Sequence, residues 1–132
     1  MEDHPIRCTL VQQHRDDVVV RIAIVDDECL AQFLRQIDMP AKRLMLERLS
    51  FAGVLTFGSA EGLREALSVV PPELLLVETD APYLTPKPHR GRVNATYLMP
   101  WTVRRMAEER GVDVADLCDQ LVANTHRAFG DW

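Results

Sequence analysis

The hydrophobic pattern of this chain predicts strands that alternate with helices. Residues 74–77 form an uninterrupted apolar run, which is typical of a strand buried on both faces of a parallel sheet. A second strand is predicted over residues 50–57, and a third, rich in β-branched residues, over residues 18–25. This order of elements is that of α/β units.

Between these strands, apolar residues recur at the three- and four-residue spacing of helices. Ser59 is expected to cap one helix, which Pro71 ends, and Gly111 and Asp113 separate two later helices. Asn124 is expected to cap a separate final turn. Two earlier helices are predicted, one starting near Cys29 and one running from Leu44 to near Ser50. The positions predicted to be buried in the helices after residue 58 are Leu63, Ala66, Leu67, Val70, Met99, Val103, Met106, Val114, Leu117, Cys118 and Leu121.

Acidic residues follow the apolar run at residues 74–77. Glu78 and Asp80 come where the strand is expected to emerge, and a Pro-rich loop with His89 and Arg90 comes next. The carboxyl ends of parallel strands are where α/β proteins bind ligands and metals. The sequence therefore predicts an active-site edge here, with Glu78 in a structural role.

Three segments of this region resemble the C-terminal end of the TatD-type metal-dependent deoxyribonucleases. They are ETDAPYL, PHRGRVN and ANTHRAFG, and the resemblance runs over roughly residues 50–132. It implies a partial (β/α) TIM-type barrel, a divalent metal (Mg²⁺ or Mn²⁺) and DNA or another phosphoester as substrate. Asp80 matches the family's aspartate at the metal site, which makes it the candidate catalytic and metal-binding residue. His89 and Arg90 are candidates for contacts to a substrate phosphate.

The chain departs from that family in length. Such barrels have about 250 residues, whereas this chain has 132. The family's HxH pair, bridging glutamate and two further histidines find no counterpart, since only His4 and His14 precede Ser50. We therefore expect residues 50–132 to form the last two or three β/α units, and residues 1–49 to be an unmatched N-terminal segment.

This incomplete ligand set leaves other hypotheses open. The chain could be catalytically inactive alone, a truncated fragment or an interaction module that self-associates through exposed sheet edges. Residues 20–34, VRIAIVDDECLAQFL, also resemble the opening of a response-regulator receiver domain, although Glu78 would then take the place of the phospho-accepting aspartate.

Composition narrows these hypotheses. The net charge of −5 and the absence of a lysine-rich stripe argue against a general nucleic-acid coat, but not against a metal nuclease with a local basic loop. Three widely spaced cysteines favour reduced thiols. The N-terminal residues lack the apolar core of a signal peptide, and no apolar run has the length of a membrane span. We therefore expect a cytoplasmic protein without a membrane partner.

Several residues near the predicted edge also have simpler explanations. Asn94 is expected to hold the Pro-rich loop by hydrogen bonds to the backbone. Tyr83 and Tyr97 are expected to pack against the protein rather than to stack on a base. His126 is expected at the surface.

Overall fold

The computed structural model of this protein describes residues 48–130. Two strands and three α-helices follow one another in the order β-α-β-α-α, which confirms the predicted α/β class. The predicted strand at residues 18–25, the predicted helix near Cys29 and the receiver-like residues 20–34 lie outside the described residues. The helix predicted from Leu44 also lies outside them up to residue 47, and its predicted end near Ser50 is wrong, because Leu49 and Ser50 belong to a strand. The elements are β1 Leu49–Phe51, α1 Glu61–Val69, β2 Leu75–Val77, α2 Met99–Arg110 and α3 Val114–Phe129.

The two strands form a parallel pair. Leu49 lies opposite Leu75 and Phe51 opposite Val77, and the Glu78 N–H donates to the Phe51 carbonyl at 3.0 Å beyond the last pair. Leu75 is completely buried. The prediction of a buried parallel strand at residues 74–77 is thus confirmed, with β2 beginning one residue later.

The strand predicted over residues 50–57 is wrong beyond Phe51. A 3-10 turn, Gly53–Thr56, follows β1 instead. The Thr56 hydroxyl donates to the Gly53 carbonyl at 2.7 Å, and the Phe57 N–H donates to the Val54 carbonyl at 2.9 Å. These local bonds replace a sheet ladder, so the apolar residues of this stretch reach the core from a turn.

Helix α1 brings the apolar stripe that the sequence predicts into the same core as the strand pair, and it packs against α2. Its start differs from the prediction, because Ala60 and not Ser59 is the N-cap. The Ala60 N–H donates to the Phe57 carbonyl at 3.2 Å, which continues the preceding turn past Ser59 and leaves that side chain exposed. The residues of α1 and its C-cap that are buried are Gly62, Leu63, Ala66, Leu67 and Val70.

Arg110 joins the end of α2 to the end of α1. Its guanidinium donates to the Leu67 carbonyl at 2.5 Å and to the Val70 carbonyl at 2.9 Å. Carbonyls in the last turn of a helix have no partner within the helix, so the arginine satisfies groups that burial would otherwise leave unpaired. Burial lowers the pKa of Arg110 below its ordinary value. Gly111 then ends α2 with a positive φ of 63°, as predicted.

Helix α3 starts as predicted and continues further than predicted. The Asp113 carboxylate accepts from the Ala115 N–H at 2.8 Å, a regular N-cap bond. The burial predicted for Val114 and Cys118 is wrong, since both are exposed. Cys118 lies one residue, or about 100°, around the helix from buried Leu117.

The interpretation of Asn124 as the cap of a separate turn is also wrong. Asn124 lies inside one continuous helix and is fully buried. Its amide nitrogen donates to the carbonyls of Pro72 and Leu75, at 2.8 Å each, and its amide oxygen accepts from Gln120 at 2.8 Å and from Arg127. A single side chain therefore fixes the start of β2 to α3.

The loop after β2 docks on the 3-10 turn after β1. A Cβ on Gly53 would lie 2.7 Å from the Leu84 carbonyl oxygen and 3.0 Å from the Pro86 Cδ, so only glycine allows this approach. The Thr56 hydroxyl accepts from the Lys87 N–H at 2.8 Å. The connections that follow the two strands thus form one packed unit.

No helix within residues 48–130 is both long and apolar enough to cross a bilayer.

Replacing Asn124 should destabilise the protein strongly. We expect Asn124→Ala to lower the free energy of unfolding by about 2–4 kcal/mol, because the buried Pro72 and Leu75 carbonyls lose their donor. Gln120→Ala, which removes only a donor to the Asn124 oxygen, should cost less than about 1 kcal/mol. Urea denaturation followed by circular dichroism measures both changes, and equal losses would contradict this role of Asn124.

A side chain at Gly53 should displace the docked loop. We expect Gly53→Ala to destabilise the protein by about 1–3 kcal/mol, since the new methyl group meets backbone atoms. The matched control is Gly58→Ala, whose Cβ would approach only the Lys87 Nζ, at 4.0 Å. That variant should change stability by less than about 0.5 kcal/mol. Limited proteolysis gives a second readout. Gly53→Ala, but not Gly58→Ala, should be cleaved faster within residues 81–95, and equal cleavage of the two variants would contradict the docking.

Candidate active site

Asp80 lies just beyond the carboxyl end of β2, where the sequence predicts an active-site edge. It is half-buried, and its backbone carbonyl accepts from the Tyr83 N–H at 2.8 Å in the turn that opens the loop. Among residues 48–130, no hydrogen bond or ion pair engages the Asp80 carboxylate. This half-buried acidic group at a strand end can therefore accept a bond from a ligand.

The loop after Asp80 is fastened internally by side-chain-to-backbone bonds. The Asn94 amide donates to the Tyr83 carbonyl at 2.8 Å and accepts from the Ala95 N–H at 2.9 Å, which confirms its predicted structural role. The Thr85 hydroxyl donates to the Arg92 carbonyl at 2.5 Å. The two arms of the loop are thus tied together at two points.

Arg90 attaches this loop to the turn after β1. Its guanidinium carbon lies 4.0 Å from the centre of the Phe57 ring, a cation–π contact, and Nη1 donates to the Thr85 carbonyl at 3.3 Å. An arginine has five N–H groups, so the side chain keeps donors beyond the one used here.

His89 attaches the loop to α2. Its ring meets the Trp101 ring edge to face, with 5.2 Å between centroids and 65° between planes. The Trp101 ring also contacts Arg104, whose guanidinium carbon lies 4.9 Å from the ring centre. His89 and its neighbour Arg90 are therefore anchored to different elements.

The three candidate site residues lie in one connection of the chain, and no side-chain hydrogen bond or ion pair joins them to one another. Asp80, His89 and Arg90 all belong to the connection between β2 and α2. No hydrogen bond or ion pair joins Asp80 to either basic residue. Their roles as metal ligand and substrate contacts stay predictions.

The described residues do not form a complete metal centre. Within residues 48–130, no three His, Cys, Asp or Glu side chains are grouped so that they could hold a metal ion. A divalent cation such as Mg²⁺ or Ca²⁺ needs about six oxygen ligands, several of them fixed by the protein. Asp80 supplies one carboxylate, so the donor set of this part of the chain does not fit the metal by itself.

The prediction that Tyr83 and Tyr97 pack against the protein is wrong. Their exposed fractions are 74% and 76%. The reason for Tyr83 lies in the backbone: its carbonyl is held inside the loop by Asn94, and its side chain is left outside. His126 lies at the surface, as predicted.

Sequence reasoning missed the residues that position the edge. Gly53 and Thr56 hold the loop, but a glycine in an apolar stretch and a lone threonine give no clear signal. Asn124 could have been found, because it lies three residues after Leu121 and seven after Leu117, on the apolar face of its helix. A polar residue in such a position must satisfy its hydrogen bonds internally.

Comparison with known proteins identifies relatives of this chain. The profile of a family described as TatD related DNase matches residues 33–130. A protein of Mycobacterium tuberculosis named "Uncharacterized metal-dependent hydrolase TatD" is 48% identical over 82 residues, which are 62% of this chain and 31% of that protein. The "3'-5' ssDNA/RNA exonuclease TatD" of Escherichia fergusonii is 45% identical over 73 residues, 52% of this chain and 28% of that protein.

Solved structures show the same fold. The crystal structure of YJJV, a TatD homologue from Escherichia coli K12, superposes with a TM-score of 0.62 at 22% identity, over 80% of this chain and 47% of that one. A TatD family hydrolase from Entamoeba histolytica gives a TM-score of 0.60 at 16% identity, over 85% and 42%.

These structural neighbours confirm the predicted partial barrel fold. The chain spans about a third of the length of the curated relatives it matches. Because the family profile covers most of its residues, the chain belongs to the TatD related DNase family.

Proposed function

We propose that this chain contributes to the metal-dependent hydrolysis of phosphodiester bonds, in DNA or another phosphoester. The observation that carries the proposal is the half-buried Asp80 carboxylate, which no group among residues 48–130 engages, at the carboxyl end of a buried parallel strand. The family membership and the names of the relatives, which call them metal-dependent hydrolases or an exonuclease, support this chemistry.

In this proposal Asp80 is a ligand of a divalent ion, Mg²⁺ or Mn²⁺, at the active site. Arg90 and His89 contact the substrate phosphate from the same edge. A guanidinium suits this task because its planar N–H groups match phosphate oxygens, and Arg90 commits only one of them to Thr85. The cation–π contact with Phe57 fixes its direction.

The other metal ligands come from outside residues 48–130, because the described residues offer no cluster that completes the centre. No catalytic step follows from Asp80 alone. These ligands come either from residues 1–47 or from another polypeptide. The division into an N-terminal segment, residues 1–49, and a TatD-like part, residues 50–132, remains a prediction; the family match begins at residue 33.

Hydrolysis of labelled single-stranded DNA by the full chain, with and without Mg²⁺ or Mn²⁺, tests the proposal. We expect metal-dependent cleavage, and a loss of about 100-fold or more in Asp80→Ala, which removes a charge from the reacting centre. Asp119→Ala removes a carboxylate from the exposed surface of α3 and should cleave at the wild-type rate. Equal rates for the two variants would contradict the role of Asp80.

A second candidate function is a non-catalytic one, and the lack of a metal-binding cluster among residues 48–130 favours it. Within residues 48–130 the sheet has two strands, and no third described strand covers its edges, which are templates for pairing with another polypeptide. Folded, soluble protein that cleaves nothing with either ion would support this candidate. Analytical ultracentrifugation of the same sample then shows whether the chain self-associates.

A further inference from the structure

Arg64, a residue of α1, binds the turn that follows β1. Its Nη1 donates to the Phe57 carbonyl at 2.7 Å and to the Leu55 carbonyl at 3.3 Å, and its Nη2 donates to the Gly58 carbonyl at 3.3 Å. The Arg64 side chain is only 15% exposed. A planar guanidinium can bind several carbonyls at once in a fixed geometry, which the single ammonium group of a lysine cannot do.

Glu109, a residue of α2, holds the same guanidinium. Its Oε1 lies 3.6 Å from the Arg64 Nε and 2.5 Å from the Arg105 Nη2. Each of the three guanidinium nitrogens of Arg64 thus has a partner. The side chain is fixed relative to α2 as well as to the turn.

The turn that Arg64 binds carries the aromatic ring that Arg90 contacts. The Phe57 side chain packs against the hydrophobic core, and the guanidinium carbon of Arg90 lies 4.0 Å from the centre of its ring. Both backbone polar groups of Phe57 are bonded, because the N–H donates to the Val54 carbonyl at 2.9 Å and the carbonyl accepts from Arg64. The ring is therefore attached to a backbone that is held in place.

Arg90 itself has few supports. Within residues 48–130 its guanidinium contacts the Phe57 ring and the Thr85 carbonyl, and the side chain is exposed. An arginine at a protein surface has many accessible rotamers, so such contacts decide which of them is populated. Thr85 belongs to the same loop. The Phe57 ring is thus the contact that relates the guanidinium to the rest of the protein.

We propose that Arg64 is a positioning residue of the candidate active site. Through the carbonyls of residues 55–58 it sets the Phe57 ring, and the ring sets the direction of the Arg90 guanidinium. The inference rests on the proposed function, in which Arg90 contacts a substrate phosphate, and it adds how that contact is prepared. A guanidinium that already points in its binding direction loses less freedom when the phosphate arrives, which leaves more of the interaction as affinity.

A purely structural brace would have different consequences. If Arg64 only stabilised the turn, its replacement would lower the stability of the protein but leave the Arg90 guanidinium in place in the folded molecules. Its effect on phosphate binding would also be independent of Arg90. Residues that act through one another show non-additive effects in a double-mutant cycle, whereas independent residues do not.

The NMR signal of the Arg90 Nε–H group in the full chain tests the positioning without any need for activity. The signal is assigned by its loss in Arg90→Lys. It should lie upfield of those of other exposed arginines, because protons above an aromatic face are shielded. We expect Arg64→Gln and Phe57→Leu to remove this upfield shift, and Phe57→Tyr, which keeps a ring, to retain it.

Arg105→Gln is the matched control. It removes an arginine that shares the Glu109 carboxylate but donates to no carbonyl of the turn, so the Arg90 signal should stay where it is. Circular dichroism shows whether each variant is folded. If Arg64→Gln does not fold, Arg64→Lys takes its place; its ammonium group cannot bind all three carbonyls, and the upfield shift should be reduced.

Titration with inorganic phosphate, in metal-free buffer with chelator, adds a readout of the site. The backbone N–H signals of residues 85–92 follow the binding. We expect Arg64→Gln and Phe57→Leu each to weaken it by about 2- to 5-fold, the factor that an exposed cation–π contact represents. In an Arg90→Ala background, Arg64→Gln should cause no further loss.

An unchanged Arg90 signal in the folded Arg64 variant overturns the inference. So does a loss of phosphate affinity that is equally large with and without Arg90. If the wild type does not bind phosphate, or if Arg90→Ala binds it equally well, the proposed phosphate contact of Arg90 is wrong. The Arg90 signal then still decides whether Arg64 positions the guanidinium.

Discussion

The close approach of the loop to Gly53 is the contact on which the geometry of the candidate site depends. Because residue 53 has no side chain, the Leu84 carbonyl and the Pro86 ring can lie against the 3-10 turn that follows β1. The Lys87 N–H then reaches the Thr56 hydroxyl. Without this approach, the segment after Asp80 would lose its close contact with the 3-10 turn and the Lys87–Thr56 hydrogen bond.

Strand β2 is anchored by a separate set of hydrogen bonds at its amino end. Asn124 ties the start of β2 to α3 through two backbone carbonyls. Arg110, at the end of α2, likewise binds two backbone carbonyls at the end of α1. The edge with Asp80 is thus built on elements whose backbone groups are satisfied by buried side chains. This is how a short parallel pair is held in register with few sheet hydrogen bonds of its own.

The outline of the fold follows from local sequence signals. The apolar run of β2, the stripe of α1, the αL glycine at residue 111 and the cap at Asp113 are all readable, because each depends on residues close in the chain.

Two of the errors concern contacts between residues far apart. The stretch after Phe51 is a turn because a loop some thirty residues later packs on it. Asn124 continues a helix, which its low intrinsic propensity does not favour, because carbonyls about fifty residues earlier bind it. Helix propensity and periodicity contain no information about such partners.

The candidate site was predictable to the same degree. The resemblance of ETDAPYL and PHRGRVN located Asp80 and the basic loop, and the family assignment confirms that resemblance. The exposure of Tyr83 could not be predicted, because it depends on which way the Asn94 cross-link turns the loop backbone. A tyrosine next to a proline fits an inward and an outward direction equally well.

The cross-links of this loop nearly all end on backbone atoms. Asn94 binds the Tyr83 carbonyl, Thr85 binds the Arg92 carbonyl, and Thr56 binds the Lys87 amide. Tyr83, Lys87 and Arg92 take part in these bonds through their backbone atoms, so they contribute to the shape of the loop whatever their side chains are. The exposed side chains at these three positions can be replaced, in evolution or by design, with little loss of stability. The backbone of the loop is thus held in one conformation while its exposed side chains can change, so that binding preference can change without a change of fold.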